Sequence, residues 1–335
     1  MRSMLALEYG YLVKELQPLV GKRFSKIAKV ESGYKMKIGD ADLICRPGIR
    51  LHTTKYIEEA GEADAFVEKA RKELKGKILK GIEQVNEDRI VLFDLGNLKL
   101  YFEMFAKGNM ILVKDGKTLT ALRYERWKDR EIKRNRTYKP PKTPPREIEE
   151  VISGNYIIVS LLKLPVGKLY IEELLARMGI DEKTPGIELS EEQIKKLKET
   201  LEEMKKEFRP YVFYENEKPV DFGLIKFSKY KNLEAKEFKK LSEATDEFYF
   251  KQPVTEKSET EKLERRLEKQ EEYLGQLKEE EKKLKETGDY IYANYDKIEK
   301  VLETARNSKP EELEEKLSEY KARLNKKEKS IEVEV

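Results

Sequence analysis

Apolar positions recur at helical spacing from the start of the chain. Leu5, Leu12, Leu16 and Val20 predict a helix over 4–19, closed by Gly21. The period then shortens to two. Strands are predicted at 27–30, 34–38 and 43–45, parted by Ser-Gly, Gly-Asp and Pro-Gly turns, and 49–54 alternates in the same way. Residues 64–75 return to helix. A denser β region follows at 78–85, 90–95, 98–105, 110–113 and 119–123. Turn residues at 86–88, 95–97, 107–109 and 115–117 separate these runs, which predicts an antiparallel meander rather than βαβ units.

The second half is mostly helical. Residues 161–175 predict two short helices around Pro165-Val166-Gly167, the outline of a helix-hairpin-helix unit. Ser190 and Gln193 form a capping-box start for a helix to about Phe208. Strands are expected at 211–214 and 222–227, and a helix at 238–250. Beyond Pro253 a seam steps by four and three: Leu263, Leu267, Gln270, Leu274, Leu277, Glu281, Leu284, Gly288, Ile291, Tyr295, Ile298, Leu302. That heptad period predicts a coiled-coil arm of about 60 Å, with Gln270, Glu281 and Gly288 as weak points. After a break at 307–310, Leu313, Leu317, Tyr320 and Leu324 predict a second helix able to fold back on the first. Residues 330–335 alternate like a strand with nothing visible to pair with. They are expected to mark a truncated end, where a longer protein continues.

The fold class expected is therefore α+β. It comprises an antiparallel, β-rich head over 1–153, a helix-hairpin-helix domain over 154–209, a return segment over 210–253 packing on the head, and a coiled-coil arm over 254–329.

Charge changes this picture locally rather than globally. Charged residues make up 40% of 335, yet the formal net charge is only +4, so distribution matters more than the sum. Residues 123–145 stand out. Arg123, Arg126, Lys128, Arg130, Lys133, Arg134, Arg136, Lys139 and Lys142 outnumber the acids, with Tyr124, Trp127 and Tyr138 interleaved. An exposed basic loop of this kind suits phosphates and unpaired bases, and equally suits a solvated loop in a lysine-rich protein. Abundant Lys and Glu with almost no His or Cys suggests a thermophilic source.

Candidate chemistry is sparse. Cys45 is the only cysteine, so no internal disulfide forms, which fits a reducing cytoplasm. No N-terminal apolar run has the length of a signal peptide or a membrane span. With His52 as the only histidine, no zinc site of the usual His and Cys ligands can be assembled. There is no P-loop and no GxGxxG after a strand. Neither metal nor cofactor is expected. In the helix-hairpin-helix turn, Gly167 and Lys168 could offer backbone N–H groups to a phosphate. Pro165 stands where such turns usually carry glycine, and simple packing explains the helix pair equally well. Asp88-Arg89 reads as a turn acid and an exposed base, and Gly108-Asn109 as a hairpin turn.

Taken together, these segments resemble the NFACT family, known as RqcH in bacteria and NEMF in animals. The helix at 66–74, with Phe66, Lys69, Arg71 and Leu74, is similar to the family's helix before the sheet. Residues 83–90 resemble its Asp-Arg strand, and 102–112 its glycine-asparagine hairpin. The runs Lys14-Glu15-Leu16 and Gly21-Lys22-Arg23, the step Tyr138-Lys139-Pro140 and the segment 238–249 match as well. The resemblance covers nearly the whole chain.

The resemblance implies a head folded like the N-terminal domain of formamidopyrimidine-DNA glycosylases. It implies a factor that binds tRNA and the large ribosomal subunit holding peptidyl-tRNA, through rRNA and proteins. Such factors promote template-free C-terminal tailing of the stalled chain, while the ribosome itself transfers the peptide. A non-enzymatic role follows. The tRNA-contact residues implied are Asp88 and Arg89, with Glu8 at a position where relatives carry Asp, and Arg71, Gly108 and Asn109. The seam also allows self-association.

Two other classes compete. A DNA glycosylase would need a proline-glutamate pair at the N-terminus, where Arg2-Ser3 stands. A coiled-coil scaffold or adhesion protein accords with an older family label, fibronectin-binding protein, but no signal peptide supports it.

Overall fold

A computed structural model describes residues 2–56, 58–251, 256–308, 312–325 and 330–333. The chain forms two units, Met1–Pro253 and Val254–Val335.

Helix α1 (Ala6–Leu16) buries Tyr9, Leu12 and Leu16, and a 3-10 turn at Gln17–Leu19, carrying Pro18, ends it earlier than expected. Strands β1 (Phe24–Val30), β2 (Gly33–Ile38), β3 (Ala41–Arg46) and β4 (Arg50–Thr53) form an antiparallel sheet in chain order. Asp64 caps α2 (Ala65–Leu74) by accepting the Val67 N–H at 2.9 Å, and Phe66, Val67, Ala70 and Leu74 are buried. The expected meander follows as β5 (Gly81–Gln84), β6 (Ile90–Asp94), β7 (Leu98–Glu103), β8 (Asn109–Lys114) and β9 (Lys117–Ala121), all antiparallel in chain order. Strand β5 is shorter than predicted, because Ile78 bridges to Arg23 instead.

The basic stretch is not a plain loop. It contains a small hairpin, β10 (Glu125–Arg126) paired with β11 (Glu131–Ile132). Ile132 and Tyr138 are buried with Ile111, Val113 and Ala121. Helices α3 (Ile148–Val151), α4 (Ile157–Leu161), α5 (Lys168–Met178) and α6 (Glu191–Lys206) come next. The Ser190 cap forms as predicted: Ser190 Oγ accepts the Gln193 N–H at 3.2 Å, and Gln193 Oε1 accepts the Ser190 N–H at 2.9 Å.

Strands β12 (Tyr211–Glu215), β13 (Lys218–Gly223) and β14 (Glu234–Glu237) make a three-stranded sheet ordered 13-12-14. The strand expected at 222–227 thus lies earlier, at β13. Helix α7 (Leu241–Lys251) returns to the beginning of the chain. The Leu241 N–H donates to Glu15 Oε2 at 2.7 Å, and the Tyr249 hydroxyl to the Arg2 carbonyl at 2.7 Å. One hydrophobic core runs through α1, both large sheets, α5, α6 and α7.

In the second unit, α8 (Glu256–Ala293) is a single helix of 38 residues, about 57 Å long. Helix α9 (Tyr295–Asn307) packs against α10 (Leu313–Ser318), as the fold-back expectation required. Of the seam positions, Leu274, Leu277, Leu284, Ile291, Tyr295 and Leu302 are exposed, while the side chains of Leu263, Leu267 and Gln270 lie outside the described residues. One expectation is overturned. The terminal strand β16 (Ser330–Val333) does have a partner, β15 (Ala322–Asn325), with Leu324 opposite Ile331. Lys321, at φ 56°, lies between α10 and this strand, so the segment of Leu324 extends rather than coils.

Candidate nucleic-acid interface

Strand register brings distant residues to one rim. Ile90 pairs with Glu103, Glu103 pairs with Asn109, and Ala121 pairs with Ile111. The entry of β6, the exit of β7, the entry of β8 and the exit of β9 therefore share one end of the five-stranded sheet. Asp88, Arg89, Asn109 and Arg123 all gather there.

A tight turn presents Asp88 and Arg89. Asn86 and Glu87 both adopt φ 57°, so the backbone reverses within three residues. Gln84 locks this turn: its Nε2 donates to the carbonyls of Ala6 at 2.8 Å, Glu87 at 3.0 Å and Asp88 at 2.9 Å. Gly10 makes room for that side chain, since a Cβ there would stand 2.8 Å from Gln84 Oε1. Asp88 Oδ1 accepts the Arg89 N–H at 2.7 Å, and the Arg89 carbonyl accepts the Met104 N–H at 2.7 Å. Both side chains are half-buried, and the Arg89 guanidinium has no ion pair or hydrogen bond among the described residues. A partly desolvated cation on a pinned backbone, without an internal acid, has the chemistry to donate charge-assisted hydrogen bonds to an anion.

Gly108 and Asn109 serve the rim from within. A Cβ on Gly108 would collide with the backbone of Pro47 and Gly48, and one on Gly48 would stand 2.9 Å from the Gly108 nitrogen. Two turns meet there backbone to backbone. Asn109 is 2% exposed, so it holds the frame instead of touching RNA. Its amide donates to the Arg123 carbonyl at 2.9 Å and accepts the Arg123 N–H at 3.1 Å, fixing where the basic stretch begins.

Within that stretch the cations divide. Arg130 grips the buried Glu103 with both terminal nitrogens, at 2.8 and 2.7 Å, and lies 4.4 Å over the Trp127 ring. The Tyr138 hydroxyl donates to Glu103 at 2.9 Å. Arg130 and Tyr138 are thus committed inside the protein, which corrects the expectation that they contact nucleic acid. Arg123 is partly committed too, donating to the Lys107 carbonyl at 2.5 Å. Arg126, Lys128, Lys133, Arg134 and Arg136 are exposed and make no ion pair or side-chain hydrogen bond among the described residues. Tyr124 and Trp127 are also exposed.

Glu8 is fully buried and unavailable to RNA. It pairs with Arg2 at 2.5 Å, accepts the Leu5 N–H at 2.7 Å and accepts the Tyr170 hydroxyl at 3.1 Å. Arg2 also pairs with Asp221 at 2.9 Å. Burial pushes the Glu8 carboxyl above its usual range, and Arg2 pulls it back. Burial opposes the Arg2 charge, and the two carboxylates more than offset it. This network joins the chain's start to α5 and β13. It also occupies the place where a glycosylase reading needs an exposed N-terminal pair.

Arg71 lies on α2 and donates to the Ile27 carbonyl at 3.3 Å; it has no bond to the Asp88–Arg89 turn. Gly167, at φ 106°, packs on Leu5, where a Cβ would stand 2.9 Å from the leucine side chain. Lys168 is exposed and lies 3.4 Å from Glu172.

Sequence reasoning missed Gln84, Glu103 and Asp221. A signal existed for two of them: Gly10 inside a helix marks a close approach, and Glu103 ends an apolar run. Among the described residues no three His, Cys, Asp or Glu side chains cluster to hold a metal, and no helix is long and apolar enough to cross a membrane.

The family model described as NFACT N-terminal and middle domains matches residues 10–335. The archaeal Rqc2 homolog aRqcH of Methanocaldococcus jannaschii is 32% identical over 348 residues, covering 89% of this chain and 51% of that protein. The ribosome quality control complex subunit NEMF homolog of Drosophila melanogaster is 25% identical over 317 residues, covering 71% of this chain and 32% of that protein. The crystal structure of the fibrinogen binding protein from Staphylococcus aureus aligns at a TM-score of 0.58 and 20% identity, over 73% of this chain and 98% of that one, which shows a shared fold. Meander, helical segment and long helix thus define an NFACT-type N-terminal and middle region. The chain belongs to the NFACT family. It spans about half the length of the archaeal relative.

Proposed function

We propose that this chain acts in ribosome-associated quality control, binding tRNA and the large ribosomal subunit that still holds peptidyl-tRNA. It recruits tRNA for template-free C-terminal tailing and leaves peptide transfer to the ribosome. The observation that carries this reading is the Asp88–Arg89 turn: a guanidinium without an internal acid, on a backbone pinned by Gln84. The relatives named as ribosome quality control proteins support the setting. Exposed cations of the β10–β11 hairpin extend the same rim with positive charge.

The test is tRNA binding by a variant carrying Asp88→Ala and Arg89→Ala. Affinity should fall at least tenfold, roughly the worth of one charge-assisted contact, while thermal unfolding stays unchanged. Equal affinity for tRNA in both proteins overturns the assignment. Crosslinking to RNA in cells, followed by sequencing, should enrich tRNA and large-subunit rRNA.

A further inference from the structure

Tyr124 forms a wall shared by two clefts. One, of about 480 Å³, is lined by Tyr124, Arg126, Lys133 and Arg134 together with Glu125 and Glu131. The other, of about 430 Å³, runs past Lys107 and Arg123 on the far side, with Asp64 at its wall. Five cations thus face three carboxylates. Two of those acids are engaged: Asp64 caps α2 and accepts the Tyr34 hydroxyl at 2.8 Å, and Glu125 lies 3.9 Å from Arg123.

A single exposed tyrosine needs no explanation by itself. Three features set this one apart. The residue is 53% exposed, and its ring has no aromatic partner or hydrogen bond among the described residues. Its backbone is anchored on one side by the Asn109 clamp on Arg123 and on the other by the grip of Arg130 on Glu103. Its two flanking hollows carry unpaired cations. An exposed aromatic ring between cationic hollows matches unpaired bases, whose phosphates can reach the cations while a base lies on the ring. A duplex keeps its bases stacked inside and has no use for such a ring.

We propose that Tyr124 is a stacking wedge for single-stranded RNA, with Arg126, Lys133 and Arg134 holding phosphates in one cleft and Lys107 in the other. The inference rests on the tRNA reading and narrows it, assigning this hairpin to a loop or an unpaired end of the RNA.

Trp127, the only tryptophan, lies three residues away and reports on the site by fluorescence. The full chain is titrated with a uridine hexanucleotide and with a short RNA duplex. The hexanucleotide should bind about tenfold more tightly than the duplex, and Tyr124→Ala should cost it about tenfold, while Tyr124→Phe binds like the wild type. Lys133→Ala with Arg134→Ala should lower the slope of log affinity against log salt by about 1.4. Equal binding by Tyr124→Ala and the wild type, no hexanucleotide binding, or no preference over the duplex overturns the wedge. The variant carrying Asp88→Ala and Arg89→Ala separates the two readings. Hexanucleotide binding through Tyr124 by a wild-type chain that binds no tRNA, or whose tRNA affinity the double variant leaves unchanged, leaves the wedge standing and removes the tRNA reading. Loss of tRNA binding in that variant, with Tyr124→Ala harmless to the hexanucleotide, does the reverse.

Discussion

Asn109 brackets Arg123, donating to its carbonyl and accepting its N–H through one side-chain amide. The pair continues the β8–β9 ladder with a side chain in place of a strand. Replacing it by alanine leaves two backbone groups without partners. Asn109→Ala should cost about 2 kcal/mol in urea unfolding, and amide exchange should speed up over 123–136 but not in β6 and β7. Exchange that rises evenly over the sheet argues against a local clamp.

Gly108 and Gly116 both adopt positive φ, at 64° and 77°, but only Gly108 meets backbone where a Cβ would stand. The two alanine variants should therefore separate. Gly116→Ala carries the conformational cost alone, about 1 kcal/mol, whereas Gly108→Ala adds overpacking and reaches about 3 kcal/mol or fails to fold. Similar unfolding midpoints for both contradict the back-to-back turn.

Arginines of one short segment should behave oppositely. Glu103→Ala strands Arg130 and Tyr138 in the interior, and a loss of about 3 kcal/mol is expected. Arg134→Ala should change stability by less than about 0.5 kcal/mol and weaken RNA binding instead. Measuring both quantities on both variants checks the division.

His52 gives stability a pH dependence. Burial first, and the neighbouring Arg50 second, hold its imidazole down at about 3, against an ordinary 6.5. The unfolded chain takes up a proton below 6.5 that the folded chain refuses until about 3, so stability is full above 6.5 and falls as pH drops through that window. At pH 5 this one group removes about 2 kcal/mol. Urea unfolding of His52→Gln and the wild type should show their difference shrinking by about that amount between pH 7 and 5. A constant difference refutes the prediction.

Where information was local, the sequence was readable. Ser190 and Gln193 cap α6 because both partners lie within one turn, and the meander is written in its own turn residues. Glu8 was half-legible: it sits three residues after Leu5 and four before Leu12, on the apolar face, which foretells burial but not Arg2 or Tyr170. Strand β14, Glu234-Ala235-Lys236-Glu237, was invisible because it has no apolar alternation and takes its place by pairing with β12. Arg130 and Arg134 look alike in composition, and only the fold brings Glu103 to one of them. The rim itself depends on register across four strands, which no local pattern encodes.

The return of α7 to the chain's beginning sets an order of events during synthesis. Glu15 finds its partners in the N–H groups of Leu241 and Ser242, the Arg2 carbonyl in the Tyr249 hydroxyl, and the backbone of Lys55 in Asp246. Until residue 250 has emerged, a nascent head carries a seam at α1 and β4 without its cover. The sheets can collapse early, but the last docking step waits for the end of the domain, the slow kind of closure that long sequence separation imposes. A factor proposed to serve stalled ribosomes thus completes its own head only after α7, some 240 residues beyond α1, has been made.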